Sequence, residues 1–246
     1  MLVGLQRNNI AINEVKLPKY LIDSFILRIP DHLMNDNIRR SMQGGRYEGH
    51  ETHAVKKHIE EQDRVLELGA GTGYVAMQIA CRIDAGNLLA IEANPKMIPV
   101  IEKNLTANAL EDVTVVNAAV VPDDFSEDQI TFHITAAFWA SSLNPTIAKK
   151  WKSTKSVKVP AIKIGTLFQE HKPTVVIMDI EGGEEGLFDS LWPEHIRLLV
   201  IELHPTLYPD RVIKQIFDQM SASGLTYCPI GSRGQVVVFK RVADEV

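Results

Sequence analysis

Short, almost wholly apolar runs alternate with helix-type segments from residue 64 onward. The runs are RVLEL, LLAIE, VTVVN, TVVIMDI and RLLVIEL, and they show little apolar–polar alternation. Strands buried on both faces have this composition, because helices cover both sides of a parallel sheet. With the final pair LTYCPI and QVVVFKR, joined by the turn signal GSRG, the pattern predicts a doubly wound, mostly parallel α/β sheet of seven strands. One strand near the C-terminus is predicted to be antiparallel.

Two segments lie outside this alternation. Residues 1–62 precede the first sheet strand and are predicted to form an N-terminal helical cap, in which YLIDSFILRI and ETHAVKKHIEEQ are both helical. Residues 63–246 are predicted to form the sheet domain. Within it, residues 122–160 are too long for a structureless loop, and an extra hairpin and a lid near the site are expected there. EEGLFDSLW, after the fourth strand, is predicted to be a crossover helix.

Composition excludes several classes of protein. The chain has 246 residues, 45% of them hydrophobic, and a net charge of −5, so a nucleic-acid partner is disfavoured. It lacks both an apolar signal region and a run near the ~20 apolar residues that a membrane span requires. Cys81 and Cys228 provide neither a disulfide framework nor zinc-ligand spacing, and Cys81 is predicted to be a buried thiol. A cytoplasmic protein without membrane partners is expected.

The loop after the first strand carries three glycines, Gly69, Gly71 and Gly73, in the stretch ELGAGTGY. Glycines allow a backbone to approach a ligand closely, and the N–H groups of a following helix favour anionic groups. The spacing is G-x-G-x-G. It differs from the dinucleotide fingerprint G-x-G-x-x-G, whose last position is occupied here by Tyr74.

Acidic residues accompany this loop. Glu67 lies in the first strand, and a carboxylate there repels a pyrophosphate but suits the ammonium and sulfonium of S-adenosyl-L-methionine. Glu92 ends the second strand, where an acid accepts hydrogen bonds from ribose hydroxyls; an acid at a helix N-terminus is the alternative. S-adenosyl-L-methionine is therefore the predicted cofactor. An NAD-dependent dehydrogenase is the competing interpretation at the level of the fold.

These motifs resemble those of Rossmann-like S-adenosylmethionine-dependent methyltransferases. ELGAGTG is similar to the first motif of that class, IEAN to the second, and VNAAV to the segment beside the adenine. A closer resemblance, over about residues 46 to 240, is to the FkbM family, through RYEGHE, ASSLNP, MDIEGGEEGLF and IELHP. It implies an O-methyltransferase whose acceptor is a small molecule or a glycan-type hydroxyl.

The motifs and the resemblance together predict the cofactor-binding residues. Glu48 belongs to a glycine-flanked segment, with Tyr47 and Glu51, that lies over the cofactor in this class. Trp139, Ser141 and Ser142 are candidates for contact with the acceptor. The predicted cofactor contacts are Glu48, Glu67, Gly69, Ala70, Gly71, Gly73, Glu92, Ala93, Asn117, Ala118 and Asp179.

The predicted catalytic residues follow two neighbouring strands. Asp179 and Glu181 end the fourth strand, and Glu202 and His204 end the fifth, each pair with the spacing that keeps side chains on one face. An alcohol acceptor must lose a proton, and His204 is the natural base because its ordinary pKa lies near neutral pH. Asp179 or Glu202 orients it or takes the proton directly. Carboxylates also suit Mg²⁺, but the spacing defines no ligand geometry and no metal is assigned.

Other functions stay open at this stage. The basic run Lys149–Lys158 (KKWKSTKSVK) motivates an RNA or protein methyltransferase, and a non-catalytic S-adenosylmethionine-binding protein is the third hypothesis. The stretch Asp179–Gly182 lacks the [DN]-P-P-[YF] motif, which disfavours methylation of amino groups. A homodimer is common in this class, but no residue specifies one.

Overall fold

The computed structural model describes residues 19–135, 141–143 and 154–243. The described strands are β1 (Lys19–Ile22), β2 (Phe25–Arg28), β3 (Val65–Leu68), β4 (Leu88–Glu92), β5 (Thr114–Asn117), β6 (Ala119–Val121), β7 (Gln129–Thr135), β8 (Thr154–Lys163), β9 (Val175–Met178), β10 (Leu198–Glu202), β11 (Leu225–Arg233) and β12 (Val236–Arg241). The described α-helices are α1 (Asp36–Gln43), α2 (Gly49–His58), α3 (Tyr74–Ala80), α4 (Ile98–Ala107), α5 (Ile164–His171) and α6 (Asp210–Ala222). Among them, no helix is both long enough and apolar enough to cross a membrane.

The central sheet has seven strands in the order β11-β12-β10-β9-β3-β4-β5. Neighbours from β10 to β5 are parallel, whereas β12 is antiparallel to both β10 and β11. Every residue of β3, β4 and β9 is buried, because one apolar cluster covers each face of the sheet. The predicted doubly wound α/β fold with a single antiparallel strand near the C-terminus is confirmed.

The N-terminal segment is only partly helical. α1 and α2 agree with the predicted cap, but the prediction of a helix for YLIDSFILRI is wrong, since β1 and β2 form a hairpin there. Ile22 pairs with Phe25, and the two turn residues Asp23 and Ser24 have φ angles of 48° and 72°. Two left-handed residues in a two-residue turn match the twist of a hairpin, so the turn decides the structure of this apolar stretch.

Two asparagine side chains attach this hairpin to the sheet domain. Asn108, the residue that follows α4, accepts a hydrogen bond from the Ile26 N–H and donates one to the Ile26 carbonyl, both at 2.8 Å. One turn earlier on α4, Asn104 accepts from the Arg28 N–H at 2.7 Å and donates to the Thr72 carbonyl in the glycine loop at 2.9 Å. The free edge of β2 is therefore satisfied by side chains, and the same helix supports the loop.

The insertion contains the predicted hairpin. β7 and β8 pair antiparallel from Gln129 with Pro160 to Thr135 with Thr154, and β8 also pairs with β6 to make a three-stranded sheet. Phe132 and Ile134 of β7 are buried in a small apolar cluster of their own. Trp139 and residues 149–153 of the basic run lie outside the described residues, as does the body of the expected lid.

The crossover after β9 is irregular, so the prediction of a helix for EEGLFDSLW is wrong. Gly182 and Gly186 both have φ of 88°, and a Cβ on Gly186 would lie 2.6 Å from Cγ of Pro122. Phe188 stacks on Trp192 with ring centroids 5.1 Å apart. Left-handed glycines interrupt helical hydrogen bonding, and the apolar residues pack as a compact turn instead.

Cys81 is exposed, in contrast to the predicted buried thiol. The buried part of α3 ends with Ala80, and Cys81 is the residue that caps the helix. Its Sγ lies 3.2 Å from the Gln78 carbonyl, to which it donates a hydrogen bond. The apolar helical pattern therefore stops one residue earlier than the sequence suggests.

Arg197 connects the segment before β3 with the start of β10. Its guanidinium donates to both carboxylate oxygens of Asp63, at 2.8 and 2.5 Å, and to the His58 carbonyl at 2.8 Å. Asp63 is 1% exposed and also accepts a hydrogen bond from Thr174. Arg197 is thus the cation that accompanies a buried carboxylate.

We expect Arg197→Met to lower the free energy of unfolding by about 3 kcal/mol, because it leaves the Asp63 carboxylate buried without its cation. Urea denaturation followed by circular dichroism measures the change. Arg39→Met is the matched control, since its ion pair with Asp31 is largely exposed and such pairs contribute little to stability. Equal losses in the two variants would contradict this role of Arg197.

Candidate functional site

A pocket of about 1000 Å³, its mouth included, lies beyond the carboxyl ends of β3, β4 and β9. Strand order reverses between β3 and β9, and doubly wound sheets bind ligands at such a switch point. The described residues Phe132, Ser141 and Leu143 of the insertion also line it. Predicted site residues in the lining are Glu48, Glu67, Gly69, Ala70, Gly71, Glu92, Ala93, Ala118, Asp179 and Glu181.

The glycine loop forms the floor of this pocket. Gly69, Gly71 and Gly73 have φ angles of 88°, 53° and 79°, a region that side chains with a Cβ rarely adopt. A Cβ on Gly69 would lie 1.7 Å from the carbonyl oxygen of Asp179. The Asp179 N–H donates to the Leu68 carbonyl at 2.9 Å, so the two strand ends are held in contact. Glycine is therefore obligatory at position 69.

Glu92 is bonded to the loop through both carboxylate oxygens. Oε2 accepts from the Gly71 N–H at 2.8 Å, and Oε1 accepts from the Asn94 N–H at 2.7 Å. Burial raises the pKa of Glu92 to about 7, although these hydrogen bonds act in the opposite direction. The side chain lines the pocket and is oriented by the backbone around it.

Glu67 is a buried acid without full compensation. It is 2% exposed, and Oε2 has no hydrogen-bond partner among the described residues. Burial, together with the negative charges of Glu92 and Glu48, raises the pKa of Glu67 to about 8. A buried oxygen of this kind is costly unless a ligand satisfies it, which fits a cationic group in the pocket.

A second acidic wall comes from the start of α2. Glu48 precedes that helix with φ of 47°, a left-handed conformation that is strained for glutamate. Burial raises the pKa of Glu48 to about 7 and that of Glu51 to about 9, and Glu202 adds a like charge in both cases. The pocket therefore carries more carboxylates than it can keep ionised, and its field favours cations.

His204 connects the two strand ends. Its Nε2 lies 3.4 Å from Oδ1 of Asp179 and 3.4 Å from Oε2 of Glu181, and its Nδ1 lies 3.1 Å from Oε1 of Glu184. The backbone N–H of His204 donates a hydrogen bond to the Tyr208 hydroxyl at 2.7 Å. Burial lowers the pKa of the His204 imidazole, but the carboxylates of Glu184, Glu181 and Glu202 raise it. The net result is a pKa above the ordinary value of histidine.

The predicted catalytic residues meet, but not through strand alternation. β9 ends at Met178 and β10 at Glu202, so Asp179, Glu181 and His204 all lie beyond regular strand. Glu181 has φ of 51°, a left-handed conformation that turns the chain back toward β10. Glu202 and His204 do not line the pocket themselves.

Two residues predicted to contact the cofactor have other contacts. The amide of Asn117 donates to the Glu92 and Ala93 carbonyls at 2.8 and 3.1 Å, beneath the pocket rather than in its lining. Gly73 precedes α3, and a Cβ there would lie 3.1 Å from Ile101. Both therefore position the backbone around the site.

Sequence reasoning missed Glu184. It is completely buried, and it holds His204 by the hydrogen bond described above. Its position in EGGEE, three residues after Glu181, marks it in the sequence, but that stretch predicts the start of a helix. Ser142 was a predicted acceptor contact; its hydroxyl donates to the Glu181 carbonyl at 2.9 Å.

Comparison with known families supports a methyltransferase. A family model described as the TRM5/TYW2 methyltransferase domain matches residues 39–138, which include the glycine loop and Glu92. A 61-residue stretch is 34% identical to ribosomal protein L11 methyltransferase from Thermotoga neapolitana, which is 25% of this chain and 22% of that protein. The chain thus matches about a fifth of the length of this relative. The predicted class, a methyltransferase, is confirmed for the matched part.

Solved structures with a similar fold are also methyltransferases. One is precorrin-6y C5,15-methyltransferase from Geobacter metallireducens, with TM-score 0.46 and 12% identity over 79% of this chain and 88% of that one. Another is TYW2 from M. jannaschii in complex with AdoMet, with TM-score 0.44 and 15% identity over 95% and 90%. The description of the family model that matches residues 39–138 does not name the FkbM family.

We expect Gly69→Ala to abolish binding of S-adenosylhomocysteine and to destabilise the chain, since a Cβ would collide with the Asp179 carbonyl. Isothermal titration and thermal unfolding measure the two effects. Gly49→Ala is the control, because a Cβ at that position meets no atom within 4 Å. Unchanged ligand binding by Gly69→Ala would refute the close approach of the two strand ends.

The acidic pocket predicts a pH dependence of stability. The pKa of Glu67 rises from 4.5 to about 8 on folding, so the folded state holds its proton more tightly and stability falls as pH rises through this window. A group that titrates fully in this way contributes a slope of about 1.4 kcal/mol per pH unit. Urea unfolding of the ligand-free protein between pH 5 and 9 should show a shallower decline for Glu67→Gln, with exposed Glu102→Gln as control. Identical slopes would count against a buried, protonated Glu67.

Proposed function

We propose that this protein is an S-adenosylmethionine-dependent O-methyltransferase that methylates a hydroxyl group on a small molecule or sugar-type acceptor. The observation that carries the proposal is one pocket with two chemically different ends. The glycine loop and Glu92 form one end, and Asp179 and Glu181 form the other, with His204 in contact with both acids from outside the lining.

The first end fits the cofactor. The ammonium and sulfonium of the cofactor would favour the ionised forms of Glu67 and Glu48, which then supply negative charge. Oε2 of Glu67, which has no partner among the described residues, is an acceptor that a cationic ligand would satisfy. Glu92 would accept hydrogen bonds from the ribose, and Ala118 and Ala119 offer an apolar surface to the adenine. S-adenosylmethionine, when bound, supplies an activated methyl group.

The second end fits an acceptor that must lose a proton. Methyl transfer is an in-line displacement, so the protein mainly positions the reactants and excludes water. A hydroxyl becomes a good nucleophile only as it gives up its proton, and a positioned base contributes roughly 10² to 10⁴ in rate. Of the predicted set, Asp179 and Glu181 line the pocket, and His204 lies 3.4 Å behind both of them. Glu202 is the fourth residue proposed for this role.

The finer assignment to the FkbM family belongs to this proposal. It is supported by DIEGGE and IELHP, because the three acids of DIEGGE contact His204, which is the histidine of IELHP. A cytoplasmic location and a homodimer are further expectations for a protein of this kind.

An RNA acceptor is the second candidate. The family model that matches residues 39–138 carries the names TRM5 and TYW2, and a TYW2 structure is similar to this chain. A fibrillarin described as a pre-rRNA processing protein is similar as well, and its description is the reason to consider RNA. Lys155 and Lys158 on β8 are exposed, at the described end of the basic run. The net charge of −5 favours the small acceptor over RNA.

The deciding experiment offers labelled S-adenosylmethionine together with a panel of hydroxyl compounds, or with total RNA. Label transferred to a hydroxyl compound as an alkali-stable ether supports the proposal. Label transferred to RNA alone would replace it with the second candidate. Binding of S-adenosylhomocysteine without transfer to either panel would favour a non-catalytic binding protein.

Glu92→Gln should weaken binding of S-adenosylhomocysteine about tenfold, because it removes the charge from hydrogen bonds to the ribose, worth about 1.5 kcal/mol. Isothermal titration measures the affinity. Glu102→Gln, an exposed acid on α4, is the control and should bind as the unmodified chain does. If both variants bind equally well, Glu92 does not contact the ligand.

A further inference from the structure

Three side chains beside the pocket have the spacing of metal ligands. Asp179, Glu181 and His204 each offer one ligand atom, and these atoms lie within 4.8 Å of one another. Nε2 of His204 is 3.4 Å from each carboxylate oxygen. Two atoms that each lie about 2.1 Å from one ion at a tetrahedral angle are themselves about 3.4 Å apart. We propose that Asp179, Glu181 and His204 bind a divalent cation.

An unsatisfied atom in this group points to a ligand. Oδ1 of Asp179 is buried, and among the described residues it has no hydrogen-bond partner. The His204 side chain is 9% exposed, and its Nε2 lies 3.4 Å from that oxygen. Buried polar atoms without partners are rare and require an explanation. A cation between the three residues supplies a partner to Oδ1.

Glu184 prepares His204 for this role. Its carboxylate is completely buried, and Oε1 accepts the Nδ1–H of His204 at 3.1 Å. That hydrogen bond places the proton on Nδ1 and leaves the lone pair of Nε2 directed at Asp179 and Glu181. Histidines that bind metals are held by carboxylates in this manner, and the outer carboxylate strengthens the ligand.

The donor atoms indicate which class of cation is bound. One imidazole nitrogen and two carboxylate oxygens form a borderline set that suits Mn²⁺ or Zn²⁺, whereas Mg²⁺ prefers oxygen alone. Glu51 and Glu202 add like charges around Asp179, and a doubly charged ion offsets their mutual repulsion.

The position of the site deepens the proposed O-methyltransferase function, on which this part of the inference rests. A cation here would hold the acceptor hydroxyl at the far end of the pocket and make it more acidic. His204 would then be a ligand and not the proton acceptor. Binding of the cation can be measured without any acceptor, so the site and the enzymatic activity can be tested separately.

The experiment uses the full chain, stripped of metal with a chelator and then titrated with Mn²⁺, with the free ion followed by electron paramagnetic resonance. We expect one saturable site per chain, with Zn²⁺ competing for it. His204→Gln and Asp179→Asn should weaken Mn²⁺ at least about 100-fold, and Glu184→Gln about 10- to 100-fold. His195→Gln and Glu185→Gln, which replace exposed residues of the same types, should bind as the unmodified chain does.

Two results would overturn the site. One is the lack of a saturable Mn²⁺ site that Zn²⁺ competes for. The other is unchanged affinity in His204→Gln, with circular dichroism showing that the variant is folded. The same samples are titrated with S-adenosylhomocysteine. Ligand binding without Mn²⁺ binding removes the cation site and leaves the proposed function standing, whereas Mn²⁺ binding without ligand binding does the reverse.

Discussion

The contact between Gly69 and the backbone of Asp179 is the constraint on which the site depends. The strands β3 and β9 are neighbours at the centre of the sheet, and a single Cβ at Gly69 would lie 1.7 Å from the Asp179 carbonyl. This approach brings the glycine loop and Asp179, which also lines the pocket, to one point. Asp179 contacts His204, which in turn contacts Glu181. The same backbone contact therefore supports both the glycine loop and the acidic end of the pocket.

Desolvated charge is the second organising feature. Glu67, Glu51 and Asp179 are all in environments that raise carboxyl pKa values, chiefly through burial. Such groups reduce the stability of the ligand-free chain, and proteins keep them where function requires them. A cationic cofactor at one end, and a divalent cation at the other, would turn this unfavourable charge into binding energy.

Support for the pocket comes from elements distant in sequence. Asn104 of α4 holds the Thr72 carbonyl while it also bonds the β2 edge, so the N-terminal hairpin and the glycine loop share one helix. Glu184, from the irregular crossover, holds His204 from below. The crossover is irregular because left-handed Gly182 and Gly186 interrupt it, and this irregular path carries Glu184 to the imidazole.

The sequence by itself determined the sheet, the glycine loop and the identity of the acidic residues that line the pocket. Uniformly apolar strands have to be covered on both faces, and the closely spaced glycines Gly69, Gly71 and Gly73 are typical of left-handed backbone. Both features depend on local sequence and can be predicted from it. YLIDSFILRI was misread because a turn of two left-handed residues, Asp23 and Ser24, outweighs its apolar content.

Only the tertiary structure decided how the acids and the histidine meet. The positive φ of Glu181, the buried partner Glu184 and the unpartnered Oδ1 of Asp179 depend on contacts between separate strand ends. Spacing along a strand carries no information beyond the residue where that strand stops. The geometry of the group, and with it the case for a cation, therefore arises from packing and not from pattern.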